Sequence, residues 1–410
     1  MKESTQAVFK QRVWQEVDCL KDRLVGISQA IHALPETGGN EVFASGLLCK
    51  ELEAVGFSVQ PGYFGIPTAF RAVFPGRAAR PAVALLAEYD ALPEIGHGCG
   101  HNIIGAAAVG AALALVSIMA EIEGVLYVYG TPAEETNGAK VPLVKGGAFK
   151  DIDAALMVHP SGSTVLNAPS LAMDALEFTF HGRTAHAAAA PQEALNALDG
   201  VILTFNAINA LREHVHSDVR IHGIITSGGV VPNLVPEEAV ARFYVRAGTR
   251  RRLNQVVKRV TDCARGAALA TGTNLTVKNF EYSFDEMRTN SVLAEVMQDN
   301  LIALGEDIMD CGKGLGSLDM GNVSQVVPAI HPYIAIGPPS LVSHTREFAQ
   351  AAGGPGAVRG LIVGAKALAA TALDIFLDPA LVTAAWDEHR TNKVLEQKAQ
   401  PAGEGLTGAE

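Results

Sequence analysis

The most constraining feature of this sequence is a series of short apolar runs that alternate with stretches of helical periodicity. Three of these runs, at residues 82–87, 125–129 and 154–158, contain no charged residue. Strands buried on both faces of a parallel sheet read as continuous apolar runs, and strands that alternate with helices indicate βαβ units. The sequence therefore predicts an α/β fold with a mostly parallel central sheet.

A different pattern begins near residue 173. The segments from there to residue 285 read in turn as strand, helix, strand, strand, helix and strand, at 175–181, 193–214, 219–226, 239–247, 251–270 and 275–282. This βαββαβ order is typical of a ferredoxin-like α+β unit. We therefore predict two domains: one formed by residues 1–172 and 286–410, and a smaller one at 173–285 that interrupts it.

Helical periodicity also marks residues 11–32, 41–56, 291–304 and about 346–376. Residues 103–120 form an uncharged stretch of the minimum length for a membrane span. Seven Ala and two Gly weaken its apolar character, and it has no flanking basic or aromatic anchors, so it predicts a buried helix. The polar segment at 391–410 predicts a loosely held tail.

Composition excludes some classes of partner and compartment. The 32 Lys and Arg against 43 Asp and Glu give a formal charge of −11, which argues against nucleic acid or a membrane as a partner. No apolar leader follows the polar N-terminal residues, and an odd number of widely spaced cysteines suits a reducing compartment. We therefore expect a cytoplasmic protein. The cysteines are Cys19, Cys49, Cys99, Cys263 and Cys311.

Acidic and metal-binding side chains follow each of the three predicted parallel strands. They are Glu88 and Asp90 after 82–87, with Cys99 and His101 in the next loop, Glu134 and Glu135 after 125–129, and His159 after 154–158. Ligands of open α/β sheets bind outside the carboxyl ends of the strands, so we expect these groups to converge in one crevice. His344, in a loop before the last apolar helix, is a candidate to complete it.

The residue types in this crevice indicate a metal site. Thiolate, imidazole and carboxylate together suit zinc or another first-row divalent ion, and Cys99 and His101 flank a glycine that lets both turn toward one ion. Glu134 and Glu135 are adjacent and cannot easily point at one atom. One of them is expected to bind the ion and the other to act as a general base on a nearby water molecule.

Alternative interpretations exist for single motifs. A Glu-Glu pair is usually part of a solvated helix face, and a glycine-rich loop is usually a turn. Cys99 could act as a thiol nucleophile with His101 as its base, but two residues of one loop form an awkward dyad and no orienting third group is evident. The run 312–316 (GKGLG) lacks the ending and spacing of a phosphate-binding loop.

Several segments of the sequence resemble a known family. The segments LAEYDALP (86–93), HGCGHN (97–102), GTPAEE (130–135) and VHP (158–160) resemble metallopeptidases that group aminoacylases, glutamate carboxypeptidases and amidohydrolases. The amidohydrolase branch, with aminobenzoyl-glutamate hydrolase and related cytosolic dipeptidases, is the most similar. Further similar segments are IHALPE (31–36), GRTAHA (182–187), PNLVP (232–236) and DMGNVS (319–324).

The resemblance implies a fold and a set of roles. The fold is a zinc-peptidase-like catalytic domain interrupted by a lid and dimerisation domain at 173–285. The implied metal ligands, for one or two divalent ions, zinc or manganese, are Cys99, His101, Glu135, His159 and His344. Glu134 would be the general base, and Asp90 would orient a ligand from the second coordination sphere. His186 would stabilise the oxyanion, and Asn233 and Arg246 would bind the substrate.

Two residues depart from patterns of the wider family. Aminoacylase and carboxypeptidase members have His-x-Asp after the first catalytic strand, whereas this chain has Glu88-Tyr89-Asp90, and Asn102 stands where many amidohydrolase-branch loops have Asp. Both positions bear on whether one ion or two ions bind.

The sequence thus predicts a metal-dependent amidohydrolase that cleaves an N-acyl amino acid or a dipeptide, such as a carboxylate-bearing substrate like aminobenzoyl-glutamate. The alternative is a non-catalytic or regulatory subunit of the same fold. The expected partners are a small amide substrate and a second copy of the chain, because a βαββαβ sheet leaves edges that must be covered. We therefore expect a homodimer or a higher homo-oligomer.

Overall fold

The computed structural model describes residues 2–310 and 316–398, which divide into two compact units. Unit 1 takes its residues from Met1–Ala168, Arg288–Lys313 and Val323–Glu410, and unit 2 from Pro169–Met287 and Gly314–Asn322. The domain limits at 173 and 285 stay a prediction. Cys311 and most of the run 312–316 lie outside the described residues, as does the part of the predicted tail from 399 onward.

The helices of the described residues are α1 (Lys2–Cys19), α2 (Lys21–Ala33), α3 (Val42–Glu53), α4 (His101–Met119), α5 (Lys140–Gly146), α6 (Ala197–Leu211), α7 (Arg250–Thr271), α8 (Ser291–Ala303), α9 (Met320–Ser324), α10 (Arg346–Ala352), α11 (Pro355–Leu377) and α12 (Pro379–Lys398). The strands are β1 (Ser58–Pro61), β2 (Phe70–Pro75), β3 (Ala82–Ala87), β4 (Val125–Gly130), β5 (Ala154–Leu156), β6 (His159–Ser161), β7 (Ala172–His181), β8 (Arg220–Ser227), β9 (Glu238–Ala247), β10 (Asn274–Asn279), β11 (Ala329–Ile330) and β12 (Tyr333–Ala335).

Unit 1 is built around a six-stranded sheet in the order β1-β2-β4-β3-β5-β11. The strands β4, β3, β5 and β11 run parallel, whereas β2 pairs antiparallel with β4 and with β1. Every residue of β3 is buried, as its continuous apolar sequence predicts. The α/β fold with a mostly parallel central sheet is thereby confirmed, and the carboxyl ends of β3, β4 and β5 lie at one edge.

The uncharged stretch after β3 is a buried helix, as predicted. Helix α4 packs against α1, α2, α3 and α11, which surround it with apolar side chains. Among the described residues, α4 and α11 are long and apolar enough to cross a membrane by length and composition. In the most apolar 18-residue segment of each helix, 89% of α4 and 78% of α11 is buried inside the protein.

Unit 2 contains a four-stranded antiparallel sheet in the order β10-β7-β9-β8, with β7-α6-β8-β9-α7-β10 along the chain. This is the predicted βαββαβ order. Residues alternate across β9: Ala241, Phe243 and Val245 are buried in the core formed with α6 and α7, whereas Tyr244 and Arg246 lie on the other face. The role of this unit as a lid and dimerisation domain stays a prediction.

Three predicted elements differ from the structure. The helix predicted at 11–32 is two helices that meet at Leu20, and the helix predicted at 346–376 is divided into α10 and α11. The glycine pair Gly353-Gly354 follows the end of α10. Pro355 is the first residue of α11, a position at which the backbone amide proton has no partner within the helix and is not needed. The predicted tail begins within a helix rather than as irregular chain, because α12 continues to Lys398, and the side chains of residues 391–395 are exposed.

Candidate metal centre

All the residues that follow β3, β4 and β5 and that resemble metal ligands lie in unit 1, together with His344. Their ligand atoms form three overlapping groups, each within 4.8 Å: Cys99, His101 and His159; Cys99, Glu135 and His344; and His101, Glu134 and Glu135. The five predicted ligands and the predicted base therefore share one cluster.

The loop after β3 owes its shape to Gly100. This residue has φ 76°, in the left-handed region that favours glycine, and precedes the first residue of α4. A Cβ atom at Gly100 would lie only 2.5 Å from Cγ of Pro160. The loop can therefore approach the segment that carries His159 closely enough for Cys99, His101 and His159 to share one point.

A second backbone constraint lies at the end of β4. Ala133 has φ 61°, which is rare for a residue with a side chain. Its amide donates a hydrogen bond of 2.8 Å to Oε1 of Glu41, a fully buried carboxylate. The next two residues, Glu134 and Glu135, thus leave the turn after β4 in a direction that this contact stabilises. Strained backbone of this kind often occurs at functional sites.

Asp90 connects two parts of the cluster. Its Oδ1 lies 2.9 Å from Nδ1 of His101, and its Oδ2 accepts a hydrogen bond of 3.0 Å from the amide of Glu135. Because the carboxylate accepts a hydrogen bond from Nδ1–H, the Nε2 atom of His101 is the one available to bind an ion. This contact is the one expected of a residue that orients a metal ligand.

Two buried atoms of the cluster have no hydrogen-bond partner among the described residues: Nε2 of His101 and Oε1 of Glu135. Oε1 of Glu135 lies 3.4 Å from Nε2 of His344 and 4.0 Å from Nε2 of His101. An unsatisfied buried polar atom is unfavourable, and a bound cation would satisfy both. One sulfur, three imidazoles and one carboxylate fit zinc or a similar ion.

The charge states of these groups also suit a cation. Burial raises the pKa of Glu135, but the nearby imidazoles of His344 and His101 outweigh burial and lower this pKa to about 2. Burial lowers the pKa of His159 well below its usual value. Glu135 is therefore ionised and His159 neutral near neutral pH, which are the forms that bind metal ions.

His101 and Cys99 show what the cluster favours without a cation. Burial lowers the pKa of His101, yet the charge and hydrogen bond of Asp90 raise it well above the usual value. Burial, with the charge of Glu135, raises the pKa of the Cys99 thiol well above its usual value. Positive charge on His101 and a protonated thiol are the responses expected of a site rich in carboxylates.

These contacts also bear on the thiol-nucleophile alternative. The expectation that His101 lacks an orienting third group is wrong, because Asp90 is that group. However, a catalytic thiol must ionise without the help of a metal ion, and the raised pKa of Cys99 opposes this. A bound cation, in contrast, itself supplies the charge that deprotonates a thiol ligand. The residue environment therefore favours a metal ligand over a nucleophile.

The departure at Asn102 has a structural reason. This fully buried amide donates hydrogen bonds from Nδ2 to Oγ of Ser28 (2.9 Å) and to the carbonyl of Ala352 (3.0 Å). An ionised aspartate has no proton to donate to a carbonyl oxygen. Asn102 thus ties the start of α4 to α2 and to the end of α10.

A buried ion pair lies beside the cluster, and the sequence patterns predict only one of its two residues. The patterns identify Glu88 only as an acidic residue after a strand, and they do not select Lys140, the first residue of α5. Oε1 of Glu88 lies 2.5 Å from Nζ of Lys140, and its Oε2 lies 3.5 Å from Nε2 of His101. Lys140 is fully buried, which no local pattern predicts because lysines are usually exposed.

The other three predicted site residues lie in unit 2. Nδ1 of the exposed His186 accepts hydrogen bonds of 3.2 Å from the amides of Ala188 and Ala189. In a neutral imidazole the proton is then on Nε2, which can donate a hydrogen bond.

Asn233 and Arg246 have different surroundings. The amide of Ala187 donates a hydrogen bond of 3.0 Å to the carbonyl of Asn233, so the segments with His186 and Asn233 are neighbours. Arg246, on β9, donates from Nη1 to Oγ of Ser317 at 3.2 Å. A guanidinium on the face of the sheet opposite the helices has the geometry to bind a carboxylate.

Comparison with known proteins identifies the family of this chain. Residues 84–374 match the family model for peptidase family M20/M25/M40. The chain is 40% identical to Xaa-Arg dipeptidase of Mus musculus, over 95% of this chain and 94% of that protein. It is 30% identical to one of the subunits of p-aminobenzoyl-glutamate hydrolase of Escherichia coli, over 91% of this chain and 93% of that protein.

A solved structure agrees at the level of the fold. The aminobenzoyl-glutamate utilization protein of Klebsiella pneumoniae superposes with a TM-score of 0.71 at 18% identity, over 88% of this chain and 97% of that one. The family match covers most of the sequence and includes the strands and loops that form the cluster in unit 1. The chain belongs to peptidase family M20/M25/M40 and is an enzyme of that family.

Proposed function

We propose that this enzyme is a metal-dependent dipeptidase or amidohydrolase that cleaves the amide bond of a dipeptide or of an N-acyl amino acid. The observation that carries the proposal is the cluster of five ligand residues and Glu134. Within it, two buried atoms, Nε2 of His101 and Oε1 of Glu135, have no hydrogen-bond partner among the described residues.

Each residue of the cluster has a separate proposed role in hydrolysis. A divalent ion, zinc or manganese, would polarise the scissile carbonyl and lower the pKa of a water molecule. Residues Cys99, His101, Glu135, His159 and His344 would hold it. Glu134 removes a proton from the attacking water and then delivers it to the leaving amine. Asp90 keeps the proton of His101 on Nδ1, so that Nε2 stays available to the ion.

Unit 2 supplies the proposed substrate contacts. Nε2–H of His186, whose proton position follows from the two amides at Nδ1, donates a hydrogen bond to the oxyanion as negative charge develops there. Asn233 binds the substrate carbonyl, and Arg246 binds the terminal carboxylate.

The names of the relatives suggest which substrates to test first. Xaa-Arg dipeptidase is the name of relatives at 40% and 38% identity, so dipeptides with a carboxyl-terminal arginine come first. Aminobenzoyl-glutamate comes second. Each is assayed with purified enzyme loaded with zinc or manganese, before and after removal of metal by a chelator.

We expect hydrolysis of at least one of these substrates, abolished by the chelator and restored by the ion. Hydrolysis that survives complete metal removal, verified by elemental analysis, would contradict the proposal. Metal-loaded enzyme that hydrolyses no dipeptide or N-acyl amino acid would favour the alternative of a non-catalytic subunit.

We also propose a homodimer formed through unit 2. The strand β8 is at the edge of its sheet, and the side chains of Ile224 and Ile225 on it are exposed. An exposed apolar edge strand is unfavourable unless something covers it. Light scattering of the wild type and of Ile224→Asp tests this: the wild type should have twice the mass of one chain, and the variant should lose this association.

A cytoplasmic location is proposed from the cysteines. Cys19, Cys49, Cys99 and Cys263 form no disulfide, as in proteins of reducing compartments. Thiol labelling of the protein isolated from its native cells, combined with fractionation, tests this location.

A further inference from the structure

A buried ion pair beside the candidate ligands takes no part in the proposed mechanism. Nζ of Lys140 lies 2.5 Å from Oε1 of Glu88, and the other oxygen of the same carboxylate lies 3.5 Å from Nε2 of His101. Lys140 is fully buried and Glu88 is 2% exposed. The carboxylate of Glu88 therefore lies between the ammonium group and Nε2 of His101, an atom that would bind the ion.

Stability alone does not explain such a pair. Burying two charges removes their hydration, and well-packed apolar residues of similar volume are often as stable or more stable. The chain nevertheless has a lysine at this position, next to a cluster that already contains Asp90, Glu134 and Glu135. A fixed positive charge changes how strongly such a cluster attracts cations.

We propose that Lys140 limits how tightly the cluster binds a second divalent ion. Its ammonium group occupies Oε1 of Glu88 and neutralises this carboxylate, so the ligand set holds a first divalent ion tightly and a second one weakly. The inference rests on the proposed function for the existence of a metal site. It adds a positioning residue that touches neither the substrate nor the reacting atoms.

Replacement of Lys140 tests this proposal in the full-length protein. Lys140→Met removes the charge while keeping an unbranched apolar side chain, and Lys140→Arg keeps the charge. Binding of Zn²⁺ and Mn²⁺ is measured by titration against a competing chelator, and the stoichiometry by elemental analysis. We expect Lys140→Met to bind the second ion about tenfold more tightly than the wild type or more, and Lys140→Arg to resemble the wild type.

The partner residue provides a second, independent measurement. Glu88→Gln leaves the ammonium group without its carboxylate partner, so affinity for the first ion should fall about tenfold. The double variant Lys140→Met/Glu88→Gln removes both charges and should restore the affinities of the wild type. If Lys140→Met does not fold, Glu88→Gln and the double variant decide the question.

The outcomes separate this inference from the proposed function. Wild-type protein that binds no divalent ion would overturn both. Wild-type protein that binds an ion, with folded Lys140→Met binding the second ion no more tightly, would overturn only the role of Lys140. Unchanged affinity of Glu88→Gln for the first ion would do the same.

Discussion

The carboxylate of Glu41 accepts a hydrogen bond of 2.8 Å from the amide of Ala133, the residue with φ 61° that immediately precedes Glu134. The other oxygen, Oε2, accepts a hydrogen bond of 2.9 Å from the hydroxyl of Thr68. Glu41 is fully buried, and burial is the largest reason that its pKa is raised. A residue far away in the sequence thus holds the turn that directs Glu134 and Glu135.

We predict that Glu41→Gln lowers both stability and turnover. A glutamine has one acceptor oxygen, so either its NH₂ group opposes the amide of Ala133 or the hydroxyl of Thr68 must turn to accept instead of donate. The loss of a hydrogen bond to a charged acceptor should lower the free energy of unfolding by about 1–3 kcal/mol. Turnover should fall because Glu134 loses its fixed direction. Denaturant unfolding and steady-state kinetics measure the two effects. Thr68→Val, which leaves the contact to Ala133, should keep nearly wild-type turnover; equal losses in both variants would contradict the positioning role.

The adjacent carboxylates Glu134 and Glu135 should respond differently to the same change. Glu134→Gln should keep the metal and lose kcat by about 100- to 10,000-fold, because it removes the general base. Glu135→Gln should lose metal affinity, because it replaces a charged ligand by a neutral one. Metal content and kcat of the two variants are compared at matched metal concentration. Full turnover by metal-loaded Glu134→Gln would contradict the assignment of the base.

Asp90→Asn is expected to weaken metal binding by about 10- to 100-fold, because Asp90 touches His101 and the amide of Glu135 without being a predicted ligand itself. Chelator competition measures the dissociation constant of the ion. Restoration of turnover at high metal concentration would support an effect through the ligand, whereas wild-type affinity in the variant would show that this contact does not matter for binding.

Asn102→Asp is expected to change stability more than metal affinity. The carboxylate would replace the amide that donates to the carbonyl of Ala352 at 3.0 Å, and two buried acceptors would then face each other. The free energy of unfolding should fall by about 1–3 kcal/mol, measured by denaturant unfolding of the metal-free protein. An unchanged unfolding midpoint would contradict this explanation of the departure from aspartate.

His186→Ala should lower kcat by about 100- to 1,000-fold while metal content stays unchanged, because it removes a hydrogen-bond donor to the oxyanion. His214, an exposed histidine of the same unit, serves as the matched control, and His214→Ala should have wild-type kcat. Mixing His186→Ala with Glu134→Gln subunits tests whether His186 acts across a dimer. A confirmed mixed dimer with no recovered activity would count against sharing of this residue.

Local sequence patterns predict much of the cluster because its residues follow strands. The apolar runs at 82–87, 125–129 and 154–158 correspond closely to β3, β4 and β5, and residues at the carboxyl ends of parallel strands meet at one edge of a sheet. The sequence patterns alone therefore place Cys99, the pair Glu134-Glu135 and His159 together. His344, far along the chain, is predicted only from its loop position and the family resemblance.

Residues that act through long-range contacts could not be predicted in this way. Glu41 and Lys140 have no local signal, because Glu and Lys are almost always exposed and a sequence pattern assigns them to the surface by default. Similarly, hydrophobic periodicity did not predict the division between α10 and α11, which depends on a Gly-Gly-Pro break. It also did not predict the helix at 391–398, which continues α12.

The sequence by itself determined the fold class, the order of elements in both units, and the chemistry of the strand ends, since these follow from periodicity and from residue type. Only the tertiary structure decided which charged groups are buried together. Glu41 is buried against Ala133, Asp90 against His101, and Lys140 against Glu88. The physical reason is that burial of a charge is stable only when distant parts of the chain bring it a well-placed partner.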